Sequence, residues 1–273
     1  KGHVEVVRLL LSKSDIDINK ADNNGGTALW IASMNGDVEV VRLLLSKSDI
    51  DINKASNAGT TALFMASQKG HVKIVQLLLS ESDIDINKAE EDGATALFIA
   101  SKKGHVDVVQ LLLSRSDIDI NKATDRGVTA LMIASKYGHV KLVRFLLSKS
   151  DIGINKSSND GGTALSMAFD NNFVEIVRTI NKANKKANKK ANKKANKKAN
   201  KANNEADTAL YDASKEGHVE REQLLLSKSA IDINKAKNNG ATALYDASKE
   251  GHVERVRLLL SKSDIDINKA KNN

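Results

Sequence analysis

The chain has 273 residues with neither cysteine nor proline, and only 3% of them are aromatic. The absence of cysteine excludes disulfides and thiolate metal sites and is typical of a reducing compartment. No apolar run approaches the roughly 20 residues that span a bilayer. The net charge of +8 comes from one place: ten lysines and no acidic residue lie between Lys182 and Lys201, and the other 32 basic side chains nearly balance the 34 acidic ones.

A 34-residue period organises the sequence. The triplet Thr-Ala-Leu returns every 34 residues from Thr27 to Thr163, then after a gap of 45 residues at Thr208, and again 34 residues later at Thr242. This self-similarity predicts a repeat array. The predicted repeats are 22–55, 56–89, 90–123, 124–157, a truncated repeat from 158, then 203–236 and 237–270, with 1–21 as the back half of another.

Each repeat predicts two helices separated by a glycine. Thr27 is a suitable N-cap for the first helix and Gly36 ends it. The second helix, 38–46, is apolar around most of its circumference, with only Glu39 and Arg42 charged. Such a helix must be buried between neighbours. The sequence therefore predicts an all-α solenoid of stacked helix pairs, stable only when several repeats pack together.

These residues resemble the ankyrin repeat. Gly-x-Thr-Ala-Leu-x-x-Ala, then Gly-His-Val-Glu-Val-Val-Arg-Leu-Leu-Leu, then Asp-Ile-Asn, are similar to its motifs across about 1–180 and 203–273. The resemblance implies an ankyrin-type solenoid with hairpin-like loops. Three features depart from the family pattern: alanine replaces proline after the threonine, the loop after the second helix is one residue longer and lacks glycine, and the family histidine of the first helix is Trp30, Phe64, Phe98, Met132, Ser166, Tyr211 or Tyr245.

The 45-residue gap between Thr163 and Thr208 determines the predicted domain organisation. We expect an array over 1–180, a lysine-rich low-complexity insert over 181–202, and two further repeats over 203–273. The insert repeats Asn-Lys-Lys-Ala, which slippage of the local Ile-Asn-Lys-Ala-Asn segment explains; binding to a polyanion is the functional alternative. Repulsion between neighbouring lysines opposes a helix, whereas alanine and lysine favour one. We expect a mobile segment that is at most partly helical.

The two final repeats carry charges at core positions. The position of Ile31, Met65, Ile99, Ile133 and Met167 becomes Asp212 and Asp246, and a second-helix core position becomes Arg221 and Arg255. Either these residues form an ion pair within each repeat, or they lie at a hydrated edge. Glu222 replaces another apolar residue, and burying it unpaired costs several kcal/mol. Residues 203–273 are therefore expected to be the least stable part.

No arrangement of residues predicts catalysis. The six histidines His3, His71, His105, His139, His218 and His252 all occupy the same framework position, so they do not converge on a metal. Asp15-x-Asp17-x-Asn19 begins like a calcium loop but lacks its glycine and final glutamate. We expect no enzyme activity, no cofactor, no metal and no small-molecule substrate.

What remains is binding of another protein. In an ankyrin array, loops and first helices line a concave surface, and the positions that differ between repeats touch partners. By this resemblance the candidates are Asn23, Asn24, Glu91, Asp92, Asp125 and Arg126 in the loop tips, and Met34, Asn35, Gln68, Lys69, Lys102, Lys103, Lys136 and Tyr137 at the first-helix ends. A third column, Trp30, Phe64, Phe98 and Met132, serves either packing between helices or, if exposed, binding.

The first hypothesis is therefore a monomeric intracellular scaffold for protein interactions, cytoplasmic or alternatively nuclear. A second is a basic module whose segment from Lys182 to Lys201 makes a weak contact with nucleic acid or anionic membrane. A third is that the chain is a binding fragment of a larger multidomain protein, because it starts without methionine at Lys1. The partner is not identified by the sequence.

Overall fold

The computed structural model describes residues 3–13, 15–216, 226, 232–236 and 240–267. The chain divides into two compact parts, which we call the N-terminal body, Lys1–Lys186, and the C-terminal body, Ala187–Asn273. Each body has its own cluster of buried apolar side chains. The candidate site lies in the N-terminal body, which is described first.

The N-terminal body is a succession of short helices in the predicted order. Their bounds are α1 Val4–Leu10, α2 Ala28–Asn35, α3 Val38–Leu45, α4 Ala62–Lys69, α5 Val72–Ser80, α6 Ala96–Lys103, α7 Val106–Leu112, α8 Ala130–Lys136, α9 Val140–Leu146, α10 Ala164–Asp170 and the beginning of α11 Val174–Glu216. The residues described form no strand beyond two isolated antiparallel bridges, Ala89 with Thr95 and Ser157 with Thr163, at the base of loops.

The helices form two layers. The first helices of successive repeats, α2, α4, α6, α8 and α10, pack on one another, and the second helices α1, α3, α5, α7 and α9 do the same. In each of the four regular repeats, the first helix also packs against the second, as α2 does against α3. This arrangement confirms the predicted all-α solenoid of helix pairs.

Caps at both ends fix the length of the first helices. The hydroxyl of Thr95 accepts a hydrogen bond from the Phe98 amide at 3.2 Å. The threonine directly before the first helix of each other regular repeat caps in the same way. At the other end, Gly36, Gly70 and Gly104 have φ between 76° and 85°. This left-handed conformation favours glycine and stops the helix before the second one begins.

One aliphatic cluster runs through the whole N-terminal body, from Ile18 to Ile180. Leu residues such as Leu29, Leu63 and Leu97 lie between the layers and are almost fully buried. Ile31 was expected to lie in the core, but this residue is 38% exposed. Among the helices described, α2 packs mainly on α3 and α4, and no first helix precedes it, so Ile31 lacks a first helix on one side.

Asparagines bind successive loops together behind the second helices. Asn19 Nδ2 donates to the Asp49 carbonyl at 2.7 Å, while its Oδ1 accepts from the Asp51 amide at 2.8 Å. Asn53, Asn87 and Asn121 repeat this pair of bonds with the following repeat. The asparagine of the Asp-Ile-Asp-Ile-Asn motif therefore links each repeat to the next, which accounts for the regular recurrence of the motif.

The insert differs from the prediction. Helix α11 is continuous over 43 residues, so the segment 181–202 is helical throughout rather than partly helical. Thr208, expected to cap a new first helix, lies inside α11. Both ends of the helix are held by buried side chains, Ile176 and Ile180 in one cluster and Leu210 in another. Helix propagation from preformed turns is far easier than nucleation, and this outweighs the lysine repulsion.

The C-terminal body contains the end of α11 and two short helices, α12 Ala243–Lys249 and α13 Val253–Leu260, which pack together. Arg255 is only 1% exposed and Asp246 is partly buried, and neither residue lacks a partner. The hydrated-edge interpretation is therefore wrong for Arg255. Asp212, Arg221 and Glu222 lie outside the residues whose side chains are described.

We expect amides of α12 and α13 to exchange with solvent faster than those of α4 to α8. In the part of the C-terminal body that is described, Leu210, Ile233, Ala243, Ala247 and Leu259 form the core, and Arg255 is buried beside it. A small core around a charged group opens at lower free energy than a continuous aliphatic one. Hydrogen exchange with mass spectrometry measures this, and equal protection in the two bodies would contradict it.

Candidate binding surface

The tips of the loops that precede the first helices are joined from repeat to repeat. We use loop tips for residues 23–24, 57–58, 91–92 and 125–126. The Asn57 amide donates to the Asn24 carbonyl at 3.0 Å, and the Asp125 amide donates to the Asp92 carbonyl at 3.0 Å. The Glu91 amide makes a longer bond of 3.4 Å to the Ala58 carbonyl. Asn23, Asn24, Glu91, Asp92, Asp125 and Arg126 are all exposed along this line.

A glycine beside each tip permits this close approach. Gly93 has φ +80°, and a Cβ placed on it would lie 2.8 Å from the Asp125 amide nitrogen. Gly25, Gly59 and Gly127 have the same conformation and equally close neighbours in the next loop. Gly161 has φ +82° as well, but a Cβ there would meet nothing within 4 Å. The glycines other than Gly161 therefore permit both the turn and the close contact with the next repeat.

The first-helix ends supply a second row of accessible side chains. Asn35, Lys69, Lys103, Lys136 and Tyr137 are exposed, with Tyr137 at 48%. The neighbouring positions Met34, Gln68 and Lys102 are half-buried. The Tyr137 ring stacks on His139, with ring centroids 6.4 Å apart. These positions, which differ between repeats, are therefore accessible to solvent, fully or in part.

The column Trp30, Phe64, Phe98 and Met132 is more buried than a binding strip requires. Phe64 is 5% exposed and Met132 1%, while Trp30 and Phe98 are half-buried. Phe64 packs with Met65, Ala94, Ile99, Trp30, Met34 and Phe98 in one cluster, which we call the aromatic cluster. Trp30 Nε1 also donates to Thr60 Oγ1 at 3.0 Å. The column mainly packs neighbouring first helices together, and only Trp30 and Phe98 keep appreciable exposed surface.

The histidines connect repeats instead of converging. His71, His105 and His139 each place Nε2 within 3.0–3.2 Å of a carbonyl near the end of the preceding first helix, on Met34, Gln68 and Lys102 respectively. Asp37 takes this position in the repeat 22–55 and Phe173 in the truncated one. A ring nitrogen that donates to a backbone carbonyl supports the fold, in agreement with the framework role predicted for these residues.

Acidic groups crowd the third loop tip. Partial burial raises the pKa of Glu90 above its ordinary value, and the nearby carboxylates of Asp92 and Glu91 raise it further. Lys102 opposes this shift, which places its ammonium group within electrostatic range of Glu90. One repeat further on, the pKa of Asp160 is lowered, chiefly by the Ser158 hydroxyl and in smaller part by Lys136. Lysines of the first-helix ends and acidic groups of neighbouring loops are therefore close enough to interact electrostatically.

Replacing Glu90 with glutamine is expected to stabilise the protein at pH 7. Since the pKa of Glu90 is raised in the folded state, folding favours the protonated form, and stability from this group is lost as pH rises through that pKa. Glutamine resembles the protonated side chain. The melting temperatures of the variant and the wild type should differ at pH 7 and converge below about pH 4. A difference that persists at low pH would contradict this origin.

Two relevant residues were not among the sequence candidates. Glu90 precedes the tip residues Glu91 and Asp92, and the run of three acids was the available signal. Thr60 receives the indole hydrogen bond of Trp30 and is hydrogen-bonded to Ser56 at 2.7 Å. A side chain bridging two repeats in this way depends on their stacking distance, so the sequence of one repeat does not reveal it.

The surface is open and offers no built catalytic or metal centre among the residues described. No group of three or more histidine and acidic side chains is placed to hold a metal there. A depression of about 360 Å³ lies between the loops at 45–53 and 81–83, and one of about 420 Å³ lies near His105. Neither is lined by the candidate residues. Of the helices in the described ranges, none is both long and apolar enough to cross a bilayer.

Stacked helix pairs with linked loop tips define the class of helical repeat solenoids. A family model described as Ankyrin repeats (3 copies) matches residues 1–56, 51–124, 116–193 and 189–271. The chain belongs to the ankyrin repeat family, which confirms the resemblance read from the sequence. The crystal structure of EF0377, an ankyrin repeat protein, is similar with a TM-score of 0.61 and 28% identity, over 65% of this chain and 91% of that one.

Comparison with curated proteins gave no match. Ankyrin repeats generally act as protein-interaction modules, and proteins of this family are typically not enzymes.

Proposed function

We propose that this protein is a monomeric, non-enzymatic scaffold that binds another protein on the face formed by the loop tips and the first-helix ends. By resemblance to ankyrin arrays this face is the concave one. The proposal rests on one observation: the recurring positions are buried, whereas the variable positions are exposed. Framework positions such as Leu63 and Leu97 are buried, whereas tip and helix-end positions, including Glu91 and Lys103, differ between repeats and are exposed.

Photo-cross-linking from defined positions of the full chain tests this proposal. A cross-linking amino acid at Lys103 reports on the proposed face, and one at Gln110, exposed on α7 of the same repeat, is the matched control. We expect one protein to be captured from position 103 and not from position 110. Capture should be lost when Met34, Lys69 and Tyr137 are replaced by alanine. Capture from position 110 that survives these replacements would overturn the assignment of the face.

A second candidate function is the docking of a polyanion to α11. Lys182, Lys185, Lys186, Lys189, Lys190 and Lys193 are exposed on a continuous helix. The sequence of this segment alternates lysine pairs with asparagine and alanine and contains no aromatic residue. A helix of this kind offers charge without an apolar face, which favours phosphate contacts over membrane insertion or base stacking.

Binding of a duplex of about 20 base pairs at two salt concentrations tests the second candidate. Affinity should fall about tenfold or more between 50 and 200 mM salt, and replacement of Lys185, Lys186, Lys189 and Lys190 by glutamine should abolish binding. The control replaces Lys20, Lys54, Lys73 and Lys141, which are exposed on the N-terminal body. Equal losses in the two variants would contradict docking to α11.

A further inference from the structure

An acidic patch occupies two adjacent loop tips. Glu90, Glu91 and Asp92 belong to one tip and its base, and Asp125 belongs to the next, linked through the bond from its amide to the Asp92 carbonyl. Glu91, Asp92 and Asp125 are exposed, and Glu90 is half-buried. The earlier tips at 23–24 and 57–58 carry no charged residue. The tip 125–126 also carries the exposed Arg126, so the net negative charge is concentrated at the tip of the repeat 90–123.

A basic patch occupies the first-helix ends of the same region. Lys69, Lys102, Lys103 and Lys136 end α4, α6 and α8, while α2 ends with Met34 and Asn35. Across the described part of the chain, none of these lysines and none of the four acidic residues has an ion-pair partner within 4.0 Å. Both patches are thus available to outside charges.

Along the chain, an apolar residue lies between the two patches. Along the repeat 90–123 the chain passes from the acidic tip to Phe98 at the start of α6 and then to Lys102 and Lys103 at its end. Phe98 belongs to the aromatic cluster, whose half-buried members Trp30, Met34 and Phe98 keep part of their surface accessible. In chain order, the repeat 90–123 therefore presents three zones: acidic, apolar and basic.

We propose that this face binds an amphipathic helix of a partner protein that carries a basic stripe and an acidic stripe on either side of its apolar stripe. The proposal rests on the proposed function and specifies the partner. A strand directs side chains to two opposite sides, so it cannot address three zones. On a helix, successive residues are about 100° apart, and three stripes of that width fit side by side.

The electrostatics of the acidic patch agree with this occupant. Partial burial raises the pKa of Glu90, and repulsion from the neighbouring carboxylates of Asp92 and Glu91 raises it further. Cationic side chains of a partner would relieve this repulsion. Opposite charges on the two flanks also favour only partners with both signs, since a wholly basic or wholly acidic helix would meet like charge on one side.

Three designed peptides of about 18 residues, sufficient for five helical turns, test the inference with the full chain. All share one leucine stripe. The first has one lysine flank and one glutamate flank, the second has lysine on both flanks, and the third has glutamate on both. Fluorescence anisotropy should show that the mixed peptide binds about tenfold more tightly than either of the others.

Reversing the charges of either patch should change which of the three peptides binds most tightly. In the variant Glu91→Lys with Asp92→Lys, the peptide with two glutamate flanks should become the best ligand, and in Lys69→Glu with Lys103→Glu the peptide with two lysine flanks should. The control Asp49→Lys with Asp83→Lys makes the same change in net charge as the first variant, at exposed loop positions that follow the second helices. It should leave the order of the three peptides as in the wild type.

The outcomes separate this inference from the proposed function. Equal affinity for the three peptides, or no binding of any at about 1 mM, would overturn the partner chemistry while leaving the cross-linking result at position 103 intact. A change of preference in the control variant would likewise overturn it, because net charge alone would then explain the selectivity. Capture from position 110 would instead overturn the proposed function itself.

Discussion

Replacing Met132 with alanine is expected to lower the free energy of unfolding by about 2 to 5 kcal/mol. The side chain is 1% exposed and belongs to the aliphatic cluster that runs through the N-terminal body. Its removal takes apolar atoms from a closely packed site and leaves a cavity that the stacked first helices cannot fill by collapsing. Urea denaturation followed by circular dichroism measures the loss.

Tyr137→Ala is the matched control in the same helix pair. Tyr137 is 48% exposed just beyond the end of α8, so its truncation should change stability by less than about 1 kcal/mol. The two variants separate the two interpretations of the aromatic column. If Met132→Ala left stability unchanged and abolished partner capture, the packing role of this position would be wrong.

Replacing Gly93 with alanine is expected to destabilise the protein by about 2 kcal/mol or more. Two effects act together: a φ of +80° disfavours any residue with a Cβ by about 1 to 2 kcal/mol. In addition, the new methyl group would lie 2.8 Å from the Asp125 amide nitrogen, which must then move and weaken its bond to the Asp92 carbonyl. Thermal unfolding of the two proteins gives the difference.

Gly161→Ala provides the control for the backbone effect alone. Gly161 has nearly the same φ, +82°, but nothing lies within 4 Å of the position of its Cβ. This substitution should carry only the conformational penalty, so the Gly93 variant should unfold at a clearly lower temperature. Equal melting temperatures would show that contact between loops contributes nothing.

The period of the sequence was sufficient to predict the fold of the N-terminal body. Thr27 and its equivalents cap helices, Gly36 and its equivalents end them, and the apolar second helices lie buried in a layer. These features depend on short-range chemistry that is repeated, so each repeat confirms the others. The bounds of α3, Val38–Leu45, fall within one residue of the predicted 38–46.

The insert was mispredicted because its local pattern was considered without its ends. Lysine at four-residue spacing gives no apolar face, and like charges repel at that spacing. The helix nevertheless continues through it, since Ile176, Ile180 and Leu210 hold its two ends in folded surroundings. Long-range anchoring of this kind is not visible in a window of twenty residues.

The candidate surface was only partly predictable. Variable positions at Glu91, Lys103 and Tyr137 were correctly expected to be accessible, because framework and variable positions separate along the repeat. The degree of burial of Phe64 and Met132 was not predictable, since it depends on how closely successive first helices approach. For the same reason the sequence left open whether the aromatic column packs or binds.

The bonds between loop tips have a consequence for how such a protein changes over generations. Those between Asp125 and Asp92 and between Glu91 and Ala58 run from backbone amide to backbone carbonyl, so they make no demand on the tip side chains beyond the neighbouring glycine. Asn57 differs, because its Nδ2 also donates to the Asn23 carbonyl at 2.9 Å. If the tips bind a partner as proposed, mutations there change what is recognised while leaving these backbone bonds in place. Selection for a new partner would then act on the tip side chains, whereas selection for a folded chain acts on the backbone atoms of the same residues.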